Sequence, residues 1–235
     1  MSSVKSIFKK QIKDIMKNMS VLVTFFVFPA VALAFSMLVD DVEGMPNVTN
    51  MMDSIFAGMG LVPAVATIIA EDREKKCLRF LVMAGVKPTS YLLGIGSVIF
   101  FISFIPAIAF SFINEFRGQE FWIFVAVIMS GATASIFLGA TIGILSKNQQ
   151  AATGIAMPIA MILGFGPMIA MFNETVERIF GIFYTQQFNV VADSLGLGGG
   201  YLPENLWQSF GIMWINIGVL AVLFVIAFAK KGLKG

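Results

Sequence analysis

Six apolar stretches, each about as long as a bilayer is thick, run through this 235-residue chain. An α-helix rises about 1.5 Å per residue, so roughly 20 apolar residues cross the hydrocarbon core. The stretches fall at about 20–39, 51–70, 91–113, 121–145, 151–172 and 207–229. Lipid offers no partner to a backbone N–H or C=O, so spans of this kind must be helices. The expected fold is therefore all-α and integral to the membrane, one unit over residues 1–235 with six transmembrane helices. Composition agrees: 57% of residues are hydrophobic and 13% charged, against about 25% charged in a soluble domain.

The basic residues orient these spans. Fourteen of the 16 Lys and Arg fall before the first stretch, between the second and third, between the fourth and fifth, or after the sixth. Only Arg117 and Arg178 fall on the other side. Basic loops stay in the cytoplasm, so both termini are expected there, in a multi-pass protein of the cell membrane. The five residues Ser146–Gln150 form a tight turn that makes the fourth and fifth helices antiparallel neighbours.

Two further segments are expected to be helical. In residues 3–18, Val4, Ile7, Phe8, Ile12, Ile15, Met16 and Met19 recur on one side, and five lysines lie largely on the other. That pattern suits a helix lying in the membrane surface, or one packed on a partner protein. The basic start is too long for a signal peptide, and the apolar run after it is long enough to span. The region 173–206 holds an apolar run, Ile179–Tyr184, too short to span, then Gly196 and Gly198–Gly200. It is expected to be a short re-entrant or interfacial helix, a glycine-rich turn, and a new helix start at Pro203-Glu204-Asn205, with a plain external loop as the alternative.

Several chemistries are excluded. There is no His, which rules out Ser/His/Asp catalysis, and no Cys/His cluster to hold zinc. The single Cys77 forms no intrachain disulfide. No G-x-x-x-x-G-K-[ST] loop is present, so the chain does not bind ATP in the P-loop manner. No catalytic, cofactor or metal residue is expected, and no nucleic-acid partner. Asp53, near the end of the second stretch, is read as capping or ending that helix, with an ion site as the alternative. Gly131, Ser135, Gly139 and Gly143 recur every four residues in the fourth stretch, a small face that lets another helix come close. The reading is close packing within the chain, with the fifth helix as one candidate partner, and a dimer seam is the alternative. Pro158 and Gly164-Phe165-Gly166-Pro167 are expected to kink or break the fifth helix. Sequons at Asn18, Asn47 and Asn173 are read as chance.

The most unusual stretch is Glu71-Asp72-Arg73-Glu74-Lys75, followed by Leu78-Arg79-Phe80-Leu81-Val82-Met83-Ala84-Gly85-Val86-Lys87-Pro88 and then Tyr91-Leu92-Leu93-Gly94. Together with the basic helix Val4–Met19 and the partly helical segment before the last span, this order of features resembles the ABC-2 type transporter permeases. The likeness covers essentially the whole chain. The resemblance implies a coupling helix between the second and third spans that docks on a soluble ABC ATPase. Its contacts would be Glu71, Asp72, Arg73, Glu74 and Lys75, with Arg79 beside them. It also implies a dimer with an identical or related permease, and a path lined by the second and fifth helices. ATP and Mg would sit on the partner subunit, and the cargo would be exported. The abundant Met residues suit a hydrophobic or amphipathic cargo, such as a drug, lipid or peptide. The main alternatives are a stand-alone ion-coupled carrier or channel, which calls for buried ionisable groups, and a membrane enzyme, which calls for catalytic side chains in the spans.

Overall fold

Long runs of Leu, Ile, Val, Phe and Ala without a strong polar face produce helices that are apolar all round, and these build the fold. The computed structural model describes residues 7–9, 11–13, 15, 19–38, 48–77, 83, 85, 88–196 and 206–232. Among them there is no strand. Helix α1 is Met19–Leu38. Helix α2 is a continuous rod made of Val48–Ile55, a π-helical stretch Phe56–Leu61, and Val62–Glu74. Then come α3 (Pro88–Ile113), α4 (Gly118–Leu145) and α5 (Gln149–Ala170). Two short helices follow, α6 (Glu174–Phe180) and α7 (Gln186–Gly196). The last is α8, Leu206–Ala227, which ends in a π-helical turn Phe228–Gly232.

Five of these helices are long and apolar enough to cross a membrane: α2 through α5, and α8. The protein is thus a multi-pass membrane protein. In α1 the apolar stretch Leu22–Met37 is shorter than that, so the expected first span stands apart from the other five.

Local chemistry explains the helix ends. Glu115 and Gly118 both adopt positive φ (58° and 60°), which breaks α3 from α4 in a few residues. Asn148 starts α5 by accepting a hydrogen bond from the Ala151 N–H at 2.9 Å. Asn173 does the same for α6, accepting from Thr175 and Val176. Lys76, at φ 58°, ends α2. Of the two expected outcomes at Pro158 and Pro167, a break does not occur: α5 runs through both. Each proline removes a single N–H, and the flanking turns keep the helix going.

Helix α4 is the central element. It packs on α2, α3, α7 and α8, with Phe124, Val127, Ile128, Ala132, Ala140 and Ile144 fully buried. Helix α1 packs on α2 and α3 through a cluster of rings: Phe25 and Phe28 meet Phe56, which meets Phe110. Helix α5 lies against α2. Helix α2 is largely enclosed, whereas α8 and one face of α5 carry exposed apolar side chains, among them Trp214, Val222, Met161 and Ile162.

The described part of the N-terminal segment is helical. Ile7 and Ile15 are buried and Phe8 meets the ring of Phe101, while Lys9 and Lys13 are exposed. Ile12 departs from the expected apolar side: it is exposed, and Gln11 is buried instead. Residues 78–82, 84, 86 and 87, including Arg79, lie outside the described residues, as do Pro203-Glu204-Asn205 and Gly198–Gly200.

Candidate functional site

The charged run after the second apolar stretch is not a separate element. Glu71 to Glu74 are the last turn of α2 itself, because the helix has no breaker until Lys76. Its side chains divide between the molecule's interior and its surface. The Arg73 guanidinium donates to the carbonyl oxygens of Ile144 and Ser146, the second at 2.9 Å. Those carbonyls end α4, where backbone acceptors have no helical partner and the helix dipole is negative. The Glu74 carboxylate accepts the Gln149 N–H at 3.2 Å, at the first residue of α5. There the dipole is positive and N–H groups are free. Neighbouring residues of one helix therefore bind both sides of the α4–α5 turn with matched polarity. Asp72 is buried and accepts a hydrogen bond from the Tyr91 hydroxyl at 3.1 Å, which ties α2 to the start of α3. Lys75 pairs with Glu71 one turn earlier, and this pair faces outward. Of the candidate contact residues that the structure describes, Asp72 is thus buried and Arg73 is committed to α4. Glu71, Glu74 and Lys75 form the accessible part.

The small face of α4 is filled in a way that spacing alone does not disclose. A Cβ at Gly139 would lie 2.6 Å from the Val62 carbonyl oxygen, and one at Gly143 would lie 2.7 Å from that of Ala66. These positions let the backbones of α4 and α2 touch, so the tight partner is the second span rather than the fifth. At Gly131 the close neighbour is the ring of Phe188 on α7. Ser135 sits between them, and the Tyr184 hydroxyl lies 2.9 Å from its Oγ. Ser135 in turn donates to the Ala57 carbonyl in the π-helical stretch at 2.8 Å. One chain of hydrogen bonds thus joins the turn before α7, α4 and α2.

The described residues between α5 and α8 form two short helices and their connecting turn, with α6 and Ile182 of the turn largely exposed and the end of the turn enclosed. Tyr184 and Thr185 are buried. The Asn216 amide of α8 donates to the Ile182 carbonyl at 2.8 Å. Phe180 packs against Gly166 of α5. The helical part of the apolar run ends at Phe180, and residues 181–185 form the turn.

Asp53 does not cap α2. That helix starts at Val48, and Asp53 is fully buried within it. Its Oδ1 accepts from the Ser54 N–H at 2.7 Å, and the Ser54 hydroxyl donates to the Thr185 carbonyl at 3.0 Å. The turn and α7 contribute further buried polar residues: Gln186, Gln187 and Asn189. Composition and apolar length do not single out these three, though the spacing 186, 189, 193 marks a polar stripe on a short helix. The same is true of Gly58 and Gly164, where the backbones of α2 and α5 meet: a Cβ at Gly58 would lie 2.6 Å from the Gly164 nitrogen. Among the described residues no group of His, Cys, Asp and Glu could hold a metal ion through three such side chains.

A family model described as "ABC-2 family transporter protein" matches residues 51–229. The match runs from the first residue of the long enclosed part of α2 to the end of α8. No curated protein matches the chain.

Proposed function

The chain belongs to the ABC-2 family of transporter proteins, and from that premise we propose that it is the permease subunit of an ATP-driven exporter. In this reading α1 completes a set of six spans, and both termini lie in the cytoplasm. The segment α6–α7 re-enters the membrane from the outer side. The end of α2 and the residues after it dock on a soluble ATPase, which holds the ATP and Mg that this chain has no motif for. Two permeases, identical or related, enclose the path. Cargo that is hydrophobic or amphipathic suits the exposed apolar face of α5, with Met157, Met161 and Met168 among its side chains.

The observation that carries this reading is the fastening of the α2 end to the α4–α5 turn by Arg73 and Glu74. A force applied at the accessible Glu71 and Lys75 would reach α4 and α5 directly, without passing through a flexible loop. That is the mechanical property a coupling surface needs.

Affinity purification from the native membrane, with identification of what co-purifies, tests it. A stoichiometric soluble P-loop ATPase is expected, with ATP hydrolysis that rises when both are reconstituted in liposomes. A protein that comes down alone and moves ions along a gradient would replace this reading with that of a stand-alone carrier.

A further inference from the structure

Burying a polar group without a partner costs about 1–3 kcal/mol, more for a charge, and native proteins hold few such groups. Here they are concentrated. Asp53 Oδ2, Thr185 Oγ1, Gln186 Oε1, and both Asn189 Oδ1 and Nδ2 are buried with no hydrogen-bond partner among the described residues. The residues that carry them are each at most 4% exposed.

The residues that carry these atoms lie on segments that meet. Asp53 adjoins Ser54, whose hydroxyl reaches the Thr185 carbonyl at 3.0 Å, and α7 packs on the Val48–Ile55 part of α2. Gln186, Asn189 and Asp193 are spaced by three and four residues, so they share one face of α7.

The chemistry of the set is consistent. Four of the five unpartnered atoms are oxygens: one carboxylate, one hydroxyl and two amide carbonyls. Oxygen sets of this kind suit hard cations. The set holds a single buried carboxylate, so a monovalent ion would cancel its charge, while a divalent one would leave a net charge in a low-dielectric interior.

We propose that Asp53, Thr185, Gln186 and Asn189 form a binding site for a monovalent cation of sodium size, which joins α7 to α2. The site is a property of this chain alone, and it stands or falls separately from the export reading.

The test uses the full chain purified in detergent. Its thermal unfolding is followed in sodium chloride and in choline chloride at equal ionic strength, alongside equilibrium binding of radiolabelled sodium. The expected result is a saturable rise of several degrees in the midpoint with sodium, and one sodium bound per chain. Asp53→Asn should abolish both responses. Asn189→Ala, which keeps the carboxylate, should weaken binding at least tenfold. Asn114→Ala removes an unpartnered amide elsewhere and should leave the sodium response intact. A midpoint equal in the two salts overturns the proposal. So does sodium binding that survives both Asp53→Asn and Asn189→Ala, and so does a midpoint that follows pH but not sodium, which would mean that Asp53 is kept as a neutral acid.

Discussion

Arg73 reaches across from the last turn of α2 to close the end of α4, donating to the Ser146 carbonyl at 2.9 Å as well as to that of Ile144. Hydrogen bonds from a charged donor to backbone acceptors contribute about 1.5–3 kcal/mol. Arg73→Ala is therefore expected to destabilise the detergent-solubilised protein by about 2 kcal/mol. Arg73→Lys should recover only part, because an ammonium lacks the planar fork. Thermal unfolding of the two variants, compared with wild type, checks the order. Equal midpoints for Ala and wild type would remove the clamp from the account.

Glu71 and Glu74 differ in a testable way. Both are acidic and one turn apart, but only Glu74 bonds to the start of α5. Glu71→Lys should leave stability near wild type and cut ATPase-coupled transport in the reconstituted complex. Glu74→Lys should lower both, since it sets a positive charge against the positive end of a helix dipole. Unchanged coupling in Glu71→Lys would count against docking at this end of α2.

Gly139 and Gly143 admit no side chain without moving the backbone of α2. Gly139→Leu is expected to cost more than the 1–3 kcal/mol typical of overpacking, read as a lower unfolding midpoint or failure to purify as a single species. Gly154 in α5 is the control, with nothing within 4 Å of the position its Cβ would take. Gly154→Ala should be neutral or stabilise by up to about 1 kcal/mol through helix propensity.

The Tyr184–Ser135–Ala57 chain predicts an asymmetry. Tyr184→Phe leaves Ser135 still donating to the Ala57 carbonyl, so its cost should be below about 1 kcal/mol. Ser135→Ala strands a buried tyrosine hydroxyl and removes the side-chain donor to a buried carbonyl, so about 1–3 kcal/mol or more is expected. A double-mutant cycle on unfolding midpoints gives both numbers. A larger cost for Tyr184→Phe would reverse the direction assigned to the chain.

Much of this protein is legible in the order of its amino acids. Apolar length alone places α2, α3, α4, α5 and α8 close to their observed bounds, because a segment in lipid has no choice but to bond its own backbone. The small face of α4 is legible for a similar reason: four-residue spacing puts Gly131, Ser135, Gly139 and Gly143 in one line whatever the helix meets. Its partner is not legible. Helices α2 and α5 both carry small residues, and which of them lies against Gly139 depends on how the rods are arranged.

Asp53 and the charged run 71–75 show the same division from the polar side. Their presence at the end regions of an apolar stretch is a fact of sequence, and it marks them as unusual. Whether Asp53 caps a helix or lies enclosed depends on where α2 begins and on α7 folding back beside it. Whether Arg73 faces a partner or α4 depends on a neighbour 71 positions away. Local chain chemistry acts over a few residues and so determines helix, span and end. The fates of Asp53 and Arg73 are decided by contacts between distant segments, which exist only once the helices have packed.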